Sequence, residues 1–227
     1  MKKIVSLLMT VIIALCANAQ KDVTKFLGIP VDGSKTEMIQ KLKAKGFRTS
    51  LLDKDVLTGE FNGMDVNIHI VTNGDKVWRI AVNDAIMSDE RSIQIRFNNL
   101  CRQFEQNPKY TSFGNEIIPD NEDIGYEIMV NNKRYEANFS QTPKYEKSDT
   151  ASMLKTFMPL VLSKYTEEEL ANPTEEIRND LMRMSVEYAF ELFSKKHVWF
   201  MISNHYASYF ISMFYDNEYN HANGEDL

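Results

Sequence analysis

The chain has 227 residues, a net charge of −6, 43% hydrophobic residues and only two cysteines. That length suits one generous domain or two small ones. The acidic balance, with no basic stripe to offset it, excludes nucleic acid as a partner and removes the polybasic hold on an anionic membrane. The cysteine count excludes a disulfide framework.

The first twenty residues read as a secretory leader. Lys2 and Lys3 give a positive start, Ile4 to Cys16 is apolar apart from Ser6 and Thr10, and Ala17-Asn18-Ala19 supplies the small-x-small cleavage pattern. The apolar run is too short to span a bilayer. Leu15 stands where a lipoprotein signal wants a small residue before Cys16. Residues 1–19 are therefore assigned to the leader and 20–227 to a single α+β domain, with sub-units at 20–147 and 148–227 as an alternative. The mature chain keeps one cysteine, Cys101, so its stability must come from packing.

Ser34-Lys35-Thr36-Glu37 has the spacing of a capping box, Met38, Ile39 and Leu42 share a face, and Gly46 is a natural stop, which predicts a helix over 35–45. Alternating segments follow: Leu57 and Phe61, then Val66, Ile68 and Ile70, then Trp78, Ile80 and Val82. Asn62-Gly63 and Asn73-Gly74 separate them. Asn-Gly supplies the positive φ of a tight hairpin, so the stretch predicts an antiparallel meander. Ser88 and Asp89 open a second helix, whose Ile93, Phe97, Leu100 and Phe104 form one stripe and which Asn107-Pro108 ends.

A second hairpin is predicted from Ile124, Tyr126, Ile128 and Val130, a turn at Asn131-Asn132, and Tyr135, Ala137 and Phe139, with Arg134, Glu136, Asn138 and Ser140 toward water. Residues 141–149 are polar and read as a linker or surface loop. Pro159 should kink or end the apolar segment around Met153, Leu154, Phe157 and Met158. Thr166 to Glu169 is another capping box. A long helix then carries two apolar stripes: Ile177, Leu181, Met184, Tyr188 and Leu192, and Met182, Val186, Phe190 and Phe193. Two stripes predict a helix packed between layers. Val198–Ile202 reads as a central strand paired with Tyr209–Tyr215, before a polar, acidic tail from Asp216. Val77-Trp78 with Asn83, and Val198-Trp199 with Asn204, suggest an internal helix-then-hairpin duplication.

Lys25-Phe26-Leu27-Gly28-Ile29-Pro30-Val31-Asp32-Gly33, the closing Tyr215-Asp216-Asn217-Glu218-Tyr219-Asn220 and Ala222 to Leu227, and the leader ending Asn18-Ala19-Gln20 resemble uncharacterised secreted proteins of Bacteroides-type bacteria. The resemblance implies a Gram-negative periplasm or cell surface and nothing about catalysis. The helix-plus-sheet pattern also resembles, in architecture alone, modules of the β-lactamase-inhibitor type, which bind proteins. The fold expected is α+β: antiparallel hairpins covered on one face by helices.

No HExxH, GxSxG or phosphate-cradling loop occurs, and no cofactor is expected. His197 and His205 flank a strand and, with Asp216, make the least implausible hydrolytic set. Cys101 lies on the apolar side of its helix and reads as a structural thiol. Asp120, Glu122 and Asp123 are oxygen donors of the kind calcium takes outside the cell, but Ile124 breaks the EF-hand pattern. Tyr206, Tyr215 and Tyr219, near turns or the strand end, are candidate platforms for a sugar ring or a partner protein. Thr150, in Asp149-Thr150-Ala151, resembles an O-glycosylation site of the same bacterial group. The function expected is a non-catalytic binding module acting on a protein or glycan of the envelope. A hydrolase and a calcium-stabilised surface protein are the alternatives.

Overall fold

The structure, a computed structural model, describes residues 22–142 and 157–222. The leader, most of the 141–149 loop, Thr150, Met153 and Leu154 lie outside those residues. The fold is α+β, an eight-stranded antiparallel sheet with helices packed against it.

A two-stranded hairpin, β1 (Lys25–Phe26) and β2 (Ile29–Pro30), turns at Leu27-Gly28, both with positive φ. Helix α1 (Lys35–Ala44) begins where Ser34 accepts the Glu37 N–H and buries Met38 and Leu42. Strands β3 (Arg48–Thr49), β4 (Val56–Phe61), β5 (Met64–Asn73) and β6 (Lys76–Asp84) then form the meander. Asn62 (φ 52°) and Gly63 (φ 74°) make the first turn as the dipeptide requires. The second turn slips by one residue: Asn73 pairs with Lys76, leaving Gly74-Asp75 as the loop.

Helix α2 (Glu90–Gln106), capped by Asp89, carries the chain from the middle of the sheet to its far edge, burying Ile93, Phe97, Leu100, Cys101 and Phe104. The chain returns through β7 (Tyr110–Ser112), α3 (Ile124–Asn131), β8 (Glu136–Gln141), α4 (Glu167–Ala171), α5 (Glu175–Ser194), β9 (His197–His205) and β10 (Ser208–Asp216). The strand order is β3-β4-β5-β6-β10-β9-β8-β7. Each half thus leads from a helix into four strands, with α3, α4 and α5 inserted among those of the second half, and the last strands of the halves pair at the centre. This pairing makes the sheet continuous across residue 147. It also corrects the suggested repeat: β6 corresponds to β10, so Val77-Trp78 in β6 and Val198-Trp199 in β9 are not equivalent positions.

Three further expectations change. Residues 124–131 are helix, not strand. Asp123 caps the start by accepting from Tyr126 N–H, Glu90 takes the Ile124 N–H, and Asn132 closes the end at φ 53°. Ile124 and Ile128 stand four apart, so the same residues that alternate also make one helical face, and only that face packs inward. Helix α5 is not sandwiched: its first stripe is half-buried, while Met182 and Phe190 on the second are 71% and 60% exposed. Nor is the C-terminal stretch wholly solvated. Asn217 is buried, donating to Val31 O, and Asn220 donates to Val77 O.

The core lies between the sheet and helices α1 and α2. Phe97, Phe104, Phe139 and Phe200 form one aromatic cluster, with ring centroids 4.8–5.8 Å apart. Phe26 meets Phe47, Phe61 and Tyr215 in another. Phe200 touches three rings and is fully buried. Phe200→Ala should therefore cost about 3–5 kcal/mol in urea unfolding. Leu51→Ala, at a fully exposed position, should cost less than about 0.5 kcal/mol. Similar costs for both would contradict this core.

Candidate functional site

The face of the sheet turned away from α1 and α2 carries the polar and aromatic residues of the candidate site. Strand pairing sets Arg79 opposite Asp216, Trp199 opposite both Phe214 and Asn138, and His197 opposite Ser140. Trp78 joins them through a β-bulge. Val71 pairs with Arg79 and Thr72 with Val77, so Trp78 has no partner on β5 and the alternation shifts. The bulge corrects the expected alternation, putting Val77 in the core and Trp78 beside Arg79.

Asp216 is the anchor. Arg79 Nε donates to Oδ1 at 2.6 Å, Arg79 donates a second bond to Oδ2 at 2.7 Å, and Trp199 Nε1 donates to Oδ2 at 2.9 Å. The carboxylate side chain is 2% exposed and the arginine 24%. Such a bidentate pair fixes both orientation and charge. The guanidinium also lies 4.3 Å from the Trp78 ring and 4.8 Å from Phe214, and Trp199 stacks on Phe214 at 4.2 Å.

His197 sits beside this pair. Its Nε2 is 3.0 Å from Asn138 Oδ1, and its Nδ1 is 4.0 Å from Asp216 Oδ2. With the Asn138 amide oxygen turned to the ring, Nε2 is the donor and Nδ1 keeps the lone pair. Burial lowers the imidazole pKa below 6.5, against the opposing pull of Asp216 and Glu218, which keeps the ring neutral at pH 7. Glu218 follows on the chain, with His221 Nδ1 3.5 Å from its carboxylate and the His221 ring against Trp78. Among the described residues, His197, Asp216 and Glu218 bring donor atoms within 4.8 Å of one another.

Helix α5 closes one side of a cleft of about 440 Å³ over β8 and β9. Phe113, Phe190 and Phe193 form the apolar wall, with Phe113 6.2 Å from Phe190 and 6.0 Å from Phe193. Asn138, Ser140 and His197 line it as polar groups, with Lys195 and Glu218 beside them. Asn138 and Ser140 thus face α5 and not water as the strand pattern implies, and Ser140 is buried.

The structure brings His197 and Asp216 together and leaves His205 apart. His205 ends the same strand eight residues on, about 26 Å away along it. Tyr206 is 84% exposed in the β9–β10 turn, whereas Tyr215 is buried with its hydroxyl on Tyr110 and offers no platform. Tyr219 is half-buried, its ring 5.8 Å from Lys195 Nζ. Asp120, Glu122 and Asp123 have separate partners: Asp120 pairs with Arg91, Glu122 with Lys133 and Tyr135, and Asp123 caps α3. Burial drives the Cys101 thiol up to about 12, which removes it as a nucleophile. Arg79, Asn138, Glu218 and the phenyl wall escape a sequence reading. The one local signal is Arg79, a charge set in an apolar strand beside a tryptophan.

Unfolded, His197 takes up a proton near 6.5; folded, it resists until lower pH. Between those values the unfolded chain binds more protons, so stability falls as pH drops below about 6.5 and levels off beneath the folded value. His197→Gln should flatten that part of the profile when urea midpoints are compared from about pH 8 to about pH 5. An unchanged slope in the variant would count against a buried neutral imidazole. No family model matches the chain, and no curated protein and no solved structure matches it either.

Proposed function

We propose that the chain is an exported, non-catalytic binding module of the cell envelope, and that its ligand is a glycan whose sugar ring enters the cleft under α5. The observation that carries the reading is the cleft itself: phenyl rings on one wall, and an amide, a hydroxyl, an imidazole and a carboxylate at its other surfaces. Its volume is within the range of small-ligand sites, and the combination suits a ring with one apolar face and hydroxyls at its edge. The export half of the reading rests on the leader in the sequence. No helix among the described residues is long and apolar enough to cross a membrane.

Hydrolysis is the weaker reading. The Asp216 oxygens are engaged by Arg79 and Trp199, and the protonated nitrogen of His197 is spent on Asn138. General acid–base work needs a group free to exchange its proton with a substrate.

Trp199 lies close enough to His197 to report on the cleft by fluorescence. Titration with N-acetylglucosamine oligomers and neutral hexose oligomers should change its emission. Phe193→Ala should weaken that response by about tenfold, one stacking contact. If no saccharide binds and N-acetyl-tryptophanamide does, the glycan reading fails in favour of a protein partner.

A further inference from the structure

We infer that His197, Glu218 and Asp216 form a binding site for a first-row divalent metal ion of the zinc class. The inference goes beyond the cleft reading and does not depend on it, since a metal could be held there with or without an organic ligand above it.

A histidine that ligates a metal through one nitrogen usually donates its other N–H to an oxygen, which fixes the tautomer and aims the lone pair. Asn138 Oδ1, 3.0 Å from Nε2, does this here. The Nδ1 lone pair then faces the Asp216 carboxylate at 4.0 Å, with Glu218 beside it. The two carboxylates carry more negative charge than the Arg79 guanidinium on Asp216 offsets, so the cluster suits a cation. Of the available cations, one that accepts nitrogen and oxygen donors together fits, whereas calcium and magnesium prefer oxygen alone.

The donor spacing is near what such an ion needs. Bonds of about 2.0–2.2 Å in a tetrahedral site place ligand atoms about 3.4 Å apart. The three donors lie within 4.8 Å of one another, so a closure of up to about 1.4 Å completes the set. His197 and Asp216 are held on paired strands. Glu218 lies just beyond β10 with 29% of its side chain exposed, and is the donor able to swing in.

Arg79 limits the affinity. Its bond to Oδ2 and that of Trp199 fill both acceptor positions of the oxygen nearest His197, so Asp216 reaches a metal only through Oδ1 or by releasing one of these bonds. The guanidinium charge also opposes a second cation nearby. His197 and Glu218 therefore supply the stronger bonds, and the expected dissociation constant is micromolar.

The test is calorimetric titration of the metal-free mature chain with zinc chloride, repeated with calcium chloride. One equivalent of zinc should bind in the micromolar range, with no heat from calcium. His197→Gln and Glu218→Gln should each weaken zinc binding by at least about tenfold, the loss of one ligand. Glu218 lies outside the core, so its variant keeps the fold and the test survives if the His197 variant does not. No zinc binding, or binding unchanged in Glu218→Gln, would overturn the inference. Saccharide titration in the presence of a chelator separates its failure from that of the cleft reading.

Discussion

Strand β6 ends the first half of the chain in the middle of the sheet, and β10 ends the second half beside it. Their antiparallel pairing, Arg79 to Asp216 through Asn83 to Ser212, joins two helix-and-four-strand halves into one sheet. Without this seam each half would be a small sheet with an unprotected edge strand, and such edges invite pairing with other chains. The seam buries Ile80, Val82, Met213 and Tyr215 on one face. On the other it sets Arg79 against Asp216. The end of β10 and the residue after it then stitch onto the first half, with Thr24 on the Asp216 carbonyl and Asn217 N–H on Trp78 O.

The candidate site is therefore a product of register. Asp216 meets Arg79 because the two strands pair there, and His197 stands next to Asp216 because β9 pairs with the other edge of β10. Asn138 and Ser140 arrive from β8 in the same way. A one-residue slip of any of these strands would turn its members of the row into the core. The site lies on the side opposite the packed helices, where the sheet keeps side chains half-exposed and α5 supplies an apolar wall.

The helices and the long strands were legible because their patterns are strong. The stripe from Ile93 to Phe104 and the alternation from Val66 to Ile70 each admit one reading. Ile124 to Val130 did not: the same apolar residues satisfy a period of two and a spacing of four, and Asp123 and Glu90 decided for helix by taking its first N–H groups. The two stripes of α5 suggested burial on both sides, yet the structure leaves Met182 and Phe190 in solvent. Trp78 was misplaced because a bulge is a property of paired strands and leaves no mark on one of them. Of the site, His197 and Asp216 were named from sequence. Asn138, Arg79, Glu218 and the phenyl wall were not, since they come from five separate parts of the chain that only the tertiary fold brings together.

The β6–β10 seam makes the two halves one cooperative unit. Native-state hydrogen exchange across increasing denaturant tests this directly. Amides of β6 and β10 should exchange only through global unfolding, and β5 and β9 on either side should lose protection at the same free energy. If β9 and β10 exchange through a lower-energy opening while β5 and β6 stay protected, the halves fold separately and the claim is wrong.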